Sequence, residues 1–278
     1  MSSPHDYILG THDAEARRLG LQHRLWSDAA HDLWKRAAIR PGSRVLDAGC
    51  GPGFASFDLA QLVAGAEPVG QVVGVDESER YIAHARAGAE SRGLGNILRA
   101  VTGDVQKLAE VLKGEAPFDA AYTRWVMCFV PDPEAVIAGI AAALKPGGRF
   151  AINDYFNYEA MTLAPRSDAF TRLIKAVGTS WRSRGGDPDI MARVPALCRR
   201  HGLEVTHLAA HQRTARPADS MWAWPDTFFR IFSPALVDGG FLTKSEAAAW
   251  LADWEAATKN PDAFMALPTV YELVAVKR

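Results

Sequence analysis

The stretch Val45-Leu46-Asp47-Ala48-Gly49-Cys50-Gly51-Pro52-Gly53 constrains this chain more than any other. A short apolar run ends at an acid and passes into a loop with glycine at every second position. Phe54 to Ala64 then reads as a helix. Glycine lets a backbone turn sharply and lets a ligand approach the main chain without meeting a Cβ. A strand, a glycine loop and a helix N-terminus in that order form a nucleotide-cofactor site at the edge of a parallel sheet. A phosphate-binding loop would end in Gly-Lys-Ser/Thr, whereas this one ends Pro52-Gly53-Phe54. A dinucleotide loop, G-x-G-x-x-G counted from Gly49, would need glycine at position 54, where Phe54 stands. The alternation G-x-G-x-G after Asp47 is a different pattern.

Further strands and helices alternate on either side of the loop. Residues 11 to 38 carry Leu19, Leu21, Leu25, Trp26, Ala30 and Leu33 at mixed three- and four-residue spacing, which predicts one or two amphipathic helices. The predicted strands are Arg44–Ala48, Gln71–Asp76, Ile97–Thr102, Phe118–Thr123 and Arg149–Asn153. Helices follow at Glu79 to Gly93 and from Asp132-Pro133-Glu134, where Asp132 is the expected N-cap and proline takes the first helical position, to near Leu144. This alternation predicts an α/β fold with a parallel, helix-covered sheet. After Asp154 it breaks. Residues 155 to 200 read mainly as helix, Leu203 to His211 as a sixth strand, 218 to 258 as helix with a capping box at Thr243-Lys244-Ser245-Glu246, and Val270 to Lys277 as a closing strand.

Five landmarks now stand in order: the Val45–Gly53 loop, Val75-Asp76, Gly103-Asp104-Val105, Phe118-Asp119 and Leu144-Lys145-Pro146-Gly147-Gly148. In this order and spacing, over roughly residues 40 to 155, the chain resembles the class I S-adenosylmethionine-dependent methyltransferases. It is most similar to their small-molecule branch of ubiquinone- and menaquinone-biosynthesis type. The resemblance implies a Rossmann-like sheet of seven mostly parallel strands with helices on both faces and the last strand antiparallel. It also implies a helical lid over residues 1–38 and a methyltransferase domain over 39–278, with helical substrate-cap insertions at about 155–200 and 215–265.

The resemblance further assigns a cofactor, S-adenosyl-L-methionine, and contacts to it. Asp76 would accept from the ribose hydroxyls beside Glu77, and Asp104 from the adenine amino group, with Gly103 and the Val105 amide alongside. Gly49, Cys50, Gly51 and Gly53 would let the backbone approach the methionine part. Asp47 would hold the loop amides or the cofactor ammonium, and the Arg124 carbonyl the same ammonium. Tyr7 and Gln22 from the N-terminal segment would close over the amino-acid end. Each has an ordinary alternative: Asp76 as a strand-end acid capping the next helix, Gly103-Asp104 as a turn, the Arg124 side chain as a surface ion pair.

The acceptor is less constrained, because in-line methyl transfer mainly requires alignment and exclusion of water and has no obligatory catalytic side chain. The position after the fourth strand holds Thr123-Arg124-Trp125-Val126 rather than the Asn/Asp-Pro-Pro-aromatic motif of amide and base N-methylases. Three scattered cysteines are too few for arsenic or radical chemistry and form no close-spaced metal site. No signature of a metal-dependent catechol enzyme is present, although Asp154 leaves that chemistry open. Trp125, Phe129, Tyr155, Tyr158, Trp222 and Phe228 are the expected substrate-pocket residues, core packing being their alternative. Tyr155, Asp154 and His211 are candidate bases. A net charge of −1 gives no case for wrapping nucleic acid, the N-terminus has no apolar signal core and no run is long enough to span a membrane. The expectation is a cytoplasmic enzyme, for which a homodimer is compatible, methylating oxygen or nitrogen, with carbon as a further option, of a small metabolite. A nicotinamide oxidoreductase, a non-catalytic binding module and an adenosylmethionine protein with other chemistry are the competing readings.

Overall fold

The computed structural model describes residues 13–278. Two helices, α1 (Asp13–Leu25) and α2 (Ser27–Arg36), precede the first strand, so the mixed apolar spacing of 11 to 38 resolves into two pieces broken at Trp26. Next come β1 (Arg44–Ala48), α3 (Phe54–Val63), β2 (Gln71–Asp76), α4 (Glu79–Ser91), β3 (Leu98–Thr102), α5 (Leu108–Val111), β4 (Phe118–Arg124), α6 (Pro133–Ala143) and β5 (Leu144–Tyr155). Asp132 caps α6, its carboxylate accepting from the Ala135 amide at 3.0 Å with Pro133 in the first turn. Ser78, not Asp76, caps α4, accepting from the Tyr81 amide at 3.2 Å. The strand β5 starts earlier than the Pro146-Gly147-Gly148 signal suggested, because Leu144 already pairs with Phe118 and a register shift between Phe118 and Ala120 takes up the extra residues.

The principal sheet has seven strands in the order β3-β2-β1-β4-β5-β10-β7, with β7 at Leu203–His211 and β10 at Val270–Lys277. All neighbours from β3 to β5 run parallel, whereas β10 is antiparallel to both β5 and β7. The central strands are buried along most of their length, as strands covered on both faces must be. On one face Leu33, Trp34, Leu59 and Val63 of α2 and α3 pack against Val45, Tyr122 and Val274. On the other, Val136, Ile137 and Ile140 of α6 pack with Leu46, Ala121 and Phe150. From β1 the chain builds outward through β2 to β3, then returns to place β4 on the other side of β1. That reversal opens a crevice beyond the carboxyl ends of β1 and β4, the place where open α/β sheets bind ligands.

The segment after β5 holds more than helices. Thr162–Ala164 (β6), Thr214–Ala215 (β8) and Phe264–Ala266 (β9) form a second, antiparallel sheet in the order β6-β9-β8. Strands of two or three residues carry no readable alternation, so 155 to 200 gave no sign of β6. Of the helices in this segment, α7 (Asp168–Arg182), α9 (Ala223–Asp238) and α10 (Lys244–Lys259) pack on one another, and α8 (Val194–Arg200) packs on β7 of the principal sheet. The Thr243 capping box at the start of α10 is complete in both directions. Among the described residues no helix is long and apolar enough to cross a membrane.

Candidate active site

A cavity of about 830 Å³ opens along the carboxyl edge of the sheet, from Asp104 after β3, past Asp76 and the glycine loop, to Arg124 after β4 and Tyr155 at the end of β5. Adjacent strands stand about 4.8 Å apart, so this course crosses four spacings, roughly 19 Å. That is long enough for an extended cofactor and a second molecule end to end.

The loop after β1 is held by main-chain bonds. Gly49 and Cys50 both donate to the Val75 carbonyl, at 2.8 and 3.0 Å, and the Gly51 amide donates to Asp76 Oδ2 at 2.9 Å. Gly49 and Gly51 take positive φ, +79° and +53°. A Cβ on Gly49 would stand inside contact distance of Val126 Cγ2, while one on Gly51 would meet no protein atom within 4 Å. Since Gly51 lines the cavity, its bare backbone is a cradle that a side chain would obstruct. Gly49→Ala should therefore push the loop and Val126 apart and weaken cofactor binding at least tenfold, a loss calorimetry with S-adenosylhomocysteine would measure.

Two acids face the cavity with capacity left. Asp76 Oδ1 accepts from the Ser78 amide at 3.0 Å and Oδ2 from Gly51, which leaves roughly two of its four lone-pair sites for a ligand. Burial pushes its carboxyl up, against the pull of these two amides. Among the described residues, Asp104 uses only Oδ1, accepting from the Gln106 amide and side chain at 2.9 and 3.1 Å. Asp47 is buried, accepts from Ser56 Oγ at 2.6 Å, and is lifted by burial to about 6, with nearby Arg124 opposing the rise.

From α1, Arg18, Gln22 and His23 close one side. Arg18 makes a two-pronged pair with buried Glu15 and gives Nη1 to Gln22 Oε1 at 2.8 Å. Gln22 Oε1 also accepts from Trp224 Nε1 at 2.8 Å, which ties α1 to α9. Arg124 gives Nη2 to His23 Nδ1 at 2.9 Å. Beyond Arg124 the lining turns aromatic. Trp125 stacks on Tyr155 at 5.9 Å and on Trp224 at 5.7 Å, Tyr158 and Trp181 stand 4.8 Å apart, and Phe228 meets Trp181 edge-on.

Most of the residues expected at the site converge on this cavity. Gln22, Asp47, Gly49, Cys50, Gly51, Asp76, Glu77, Asp104, Val105, Arg124, Trp125, Phe129, Tyr155, Tyr158 and Phe228 all line it. Five do not. Gly53 is the N-cap of α3, and a Cβ there would run into Ala85 and Phe57. Gly103 is packed on Val111. Trp222 is core: it stacks on Trp254 at 4.3 Å and donates to Thr258 Oγ1. His211 bonds Glu272 at 2.7 Å, two strands away from the acceptor end, and Asp154 is fully buried beneath it. Tyr7 lies outside the described residues. The expected pocket residues did not include His23 or Trp181, which tertiary packing brings in with no local pattern to mark them, and from the aromatic stretch Met221-Trp222-Ala223-Trp224-Pro225 they took Trp222 where Trp224 is the lining residue.

Residues 39–186 match the family described as "Methyltransferase domain", just over half of the chain. The chain belongs to the class I S-adenosylmethionine-dependent methyltransferases. Among relatives of the chain, 2-phytyl-1,4-naphtoquinone methyltransferase of Synechococcus elongatus is 36% identical over 129 residues, covering 45% of this chain and 53% of that one. Ubiquinone biosynthesis O-methyltransferase of Dechloromonas aromatica is 35% identical over 155 residues, covering 51% and 62%. The chain thus spans about half the length of the curated relatives it matches. A solved structure from Bacillus halodurans, described as a "putative methyltransferase", aligns over 89% of this chain and 97% of its own, with a TM-score of 0.59 at 18% identity. That likeness bears on the fold, a Rossmann-like methyltransferase sheet. The donor set fits S-adenosylmethionine: carboxylates with spare acceptor capacity at the ends of β2 and β3, and a bare glycine backbone after β1.

Proposed function

We propose that this methyltransferase moves the methyl group of S-adenosylmethionine to an oxygen, nitrogen or carbon of a small organic molecule held in the aromatic half of the cavity. The observation that carries this reading is continuity: one chamber runs from Asp104 and Asp76 through the glycine loop to Tyr155 and Trp181. Bound S-adenosylmethionine supplies an electrophilic methyl on a sulfonium. Asp76 accepts from the ribose hydroxyls, Asp104 from the adenine amino group, and the Gly49–Gly51 backbone lies along the amino-acid part. Residues 1–38 act as a lid, and the insertions at about 155–200 and 215–265 as a substrate cap. Support for that division comes from Gln22, which joins α1 to Trp224 over the cavity.

Among the described residues, the aromatic half offers no side chain free to take a proton. Asp154 and His211 lie outside it, and both ring nitrogens of His23 are engaged. The Tyr155 and Tyr158 hydroxyls have their pKa values raised by burial, so they remain neutral donors. The acceptor therefore brings its own lone pair, and the protein aligns it and keeps water out. Stacked indole and phenol faces suit a flat acceptor and a neighbouring cationic sulfur. The two relatives named above are a naphtoquinone methyltransferase and a ubiquinone-biosynthesis O-methyltransferase, in keeping with a flat acceptor. The reading extends to a cytoplasmic enzyme working on free metabolites rather than nucleic acid; the net charge of −1 and three buried free cysteines support it.

Calorimetry against S-adenosylhomocysteine and NADH, followed by a screen of metabolite extracts with methyl-labelled S-adenosylmethionine, tests this. Binding of S-adenosylhomocysteine but not NADH, with label appearing in a small product, is the expected result. NADH binding alone would sink the reading. Binding without any transfer of label would favour other chemistry on the same cofactor.

A further inference from the structure

His23 links three elements around the amino-acid end of the site. Its Nδ1 lies 2.9 Å from Arg124 Nη2 and its Nε2 lies 3.0 Å from Asp58 Oδ2. Arginine has only donors, so His23 Nδ1 must be the acceptor, and the ring proton sits on Nε2, where it is donated to Asp58. The imidazole is thus neutral and fixed in one tautomer. Phe54, the first residue of α3, stacks on it at 6.4 Å, and both His23 and Arg124 line the cavity beside Asp47 and Gly49. The guanidinium has a second outer nitrogen, Nη1, that is buried and has no partner among the described residues.

We infer that His23 is a positioning residue for the methyl donor: through Nδ1 it holds the Arg124 guanidinium at the amino-acid end of the cofactor site, and through Nε2 it anchors that contact to Asp58 on the helix that follows the glycine loop. The inference rests on the adenosylmethionine reading above. It explains why a buried histidine bridges a cation and a carboxylate. The cation needs an orientation set from behind, because its free side must meet a ligand of opposite charge, the carboxylate of the cofactor's amino-acid part. It also gives α1 a defined seat, since the same helix brings Arg18 and Gln22 to the cavity.

The groups facing His23 are Arg124 from β4, Asp58 from α3 and His31 from α2, whose Nε2 is 3.3 Å from the same Asp58 oxygen. From α9, also packed on α1, Trp224 reaches Gln22. Protonated His23 would set an N–H against the guanidinium N–H. Burial and Arg124 favour the neutral ring, with Asp58 opposing them, and the net shift is downward from 6.5. The sign follows: the folded arrangement is fully stabilised above 6.5 and loses that contribution as pH falls below it.

Two substitutions separate the contacts. Asparagine places its oxygen near the position of Nδ1 and can still accept from Arg124. Glutamine places its amide near Nε2 and can still donate to Asp58, leaving Arg124 unheld. Calorimetry with S-adenosylhomocysteine on the full chain should show His23→Gln binding about tenfold more weakly than wild type and His23→Asn within about threefold. Melting temperatures should fall similarly for both. Asp47 titrates near the same pH, so the affinity–pH curve of wild type is compared with that of His23→Asn; the wild-type curve should fall more steeply below 6.5. Equal affinities for the two variants, the reverse order, or superimposed pH curves would each overturn the inference. Failure of wild type itself to bind S-adenosylhomocysteine would instead remove the reading on which it rests.

Discussion

Asp76→Ala is expected to weaken S-adenosylhomocysteine binding by about 100-fold or more while leaving the fold in place. Two hydrogen bonds from ribose hydroxyls to a carboxylate contribute on the order of 3 kcal/mol together, which is two decades in affinity. The loss has a second source. Asp76 Oδ2 is the acceptor for the Gly51 amide, so its removal also releases the glycine loop that lines the cavity. Asp76→Asn should rescue little. One carboxylate oxygen faces the Gly51 amide and the other the Ser78 amide, so an asparagine NH₂ would confront a backbone donor whichever way it turned. Calorimetry gives the affinity, and a far-ultraviolet dichroism melt shows whether the fold survives. An Asp76→Ala protein that binds S-adenosylhomocysteine like wild type would mean the ribose lies elsewhere.

How far the sequence revealed this site depends on the range of the signal. Asp76 was readable because strand end, acid and following helix lie within a few residues of one another, and β1, β2, β7 and β10 have the bounds that their valine-rich runs and glycine or proline breaks imply. Asp132 as a cap and the Thr243 box were equally local. The contacts that tie α1 to the cavity are not local. His23 meets Arg124 across 101 positions, and Gln22 meets Trp224 across 202. Trp222 and Trp224 show the limit most clearly. Both sit in one aromatic turn, yet Trp222 is drawn onto Trp254 in the core while Trp224 reaches the cavity. Periodicity marks an aromatic face but not which neighbour will cover it. The strands β6, β8 and β9 were hidden for the same reason, since their pairing is set by partners far along the chain.

Asp154→Ala is expected to destabilise the protein by about 3–5 kcal/mol, because this acid is a scaffold and not the base that its place after the expected fifth strand suggested. Its side chain is fully buried, with Oδ2 accepting from the Met127 and Cys128 amides at 3.0 and 3.3 Å and Oδ1 from its neighbour Tyr155 at 2.9 Å. Those amides belong to the loop after β4, where Trp125 takes a left-handed φ of +52° that a bulky residue adopts only when held there. Removing the carboxylate would leave buried N–H groups unmatched and free the loop that presents Trp125 to the cavity. Burial outweighs these bonds and lifts the Asp154 carboxyl to about 6. A carboxyl raised above its unfolded value of 3.8 contributes stability that is full below 3.8 and is lost as pH rises through about 6. The gap between wild type and Asp154→Ala should therefore be larger at pH 5 than at pH 8, measured by urea unfolding at each pH. A catalytic base would behave in the opposite way: Asp154→Ala would leave stability nearly untouched and abolish methyl transfer. Asp154→Asn sharpens the contrast, since it keeps one acceptor oxygen and should recover part of the stability, whereas an amide recovers nothing of a base.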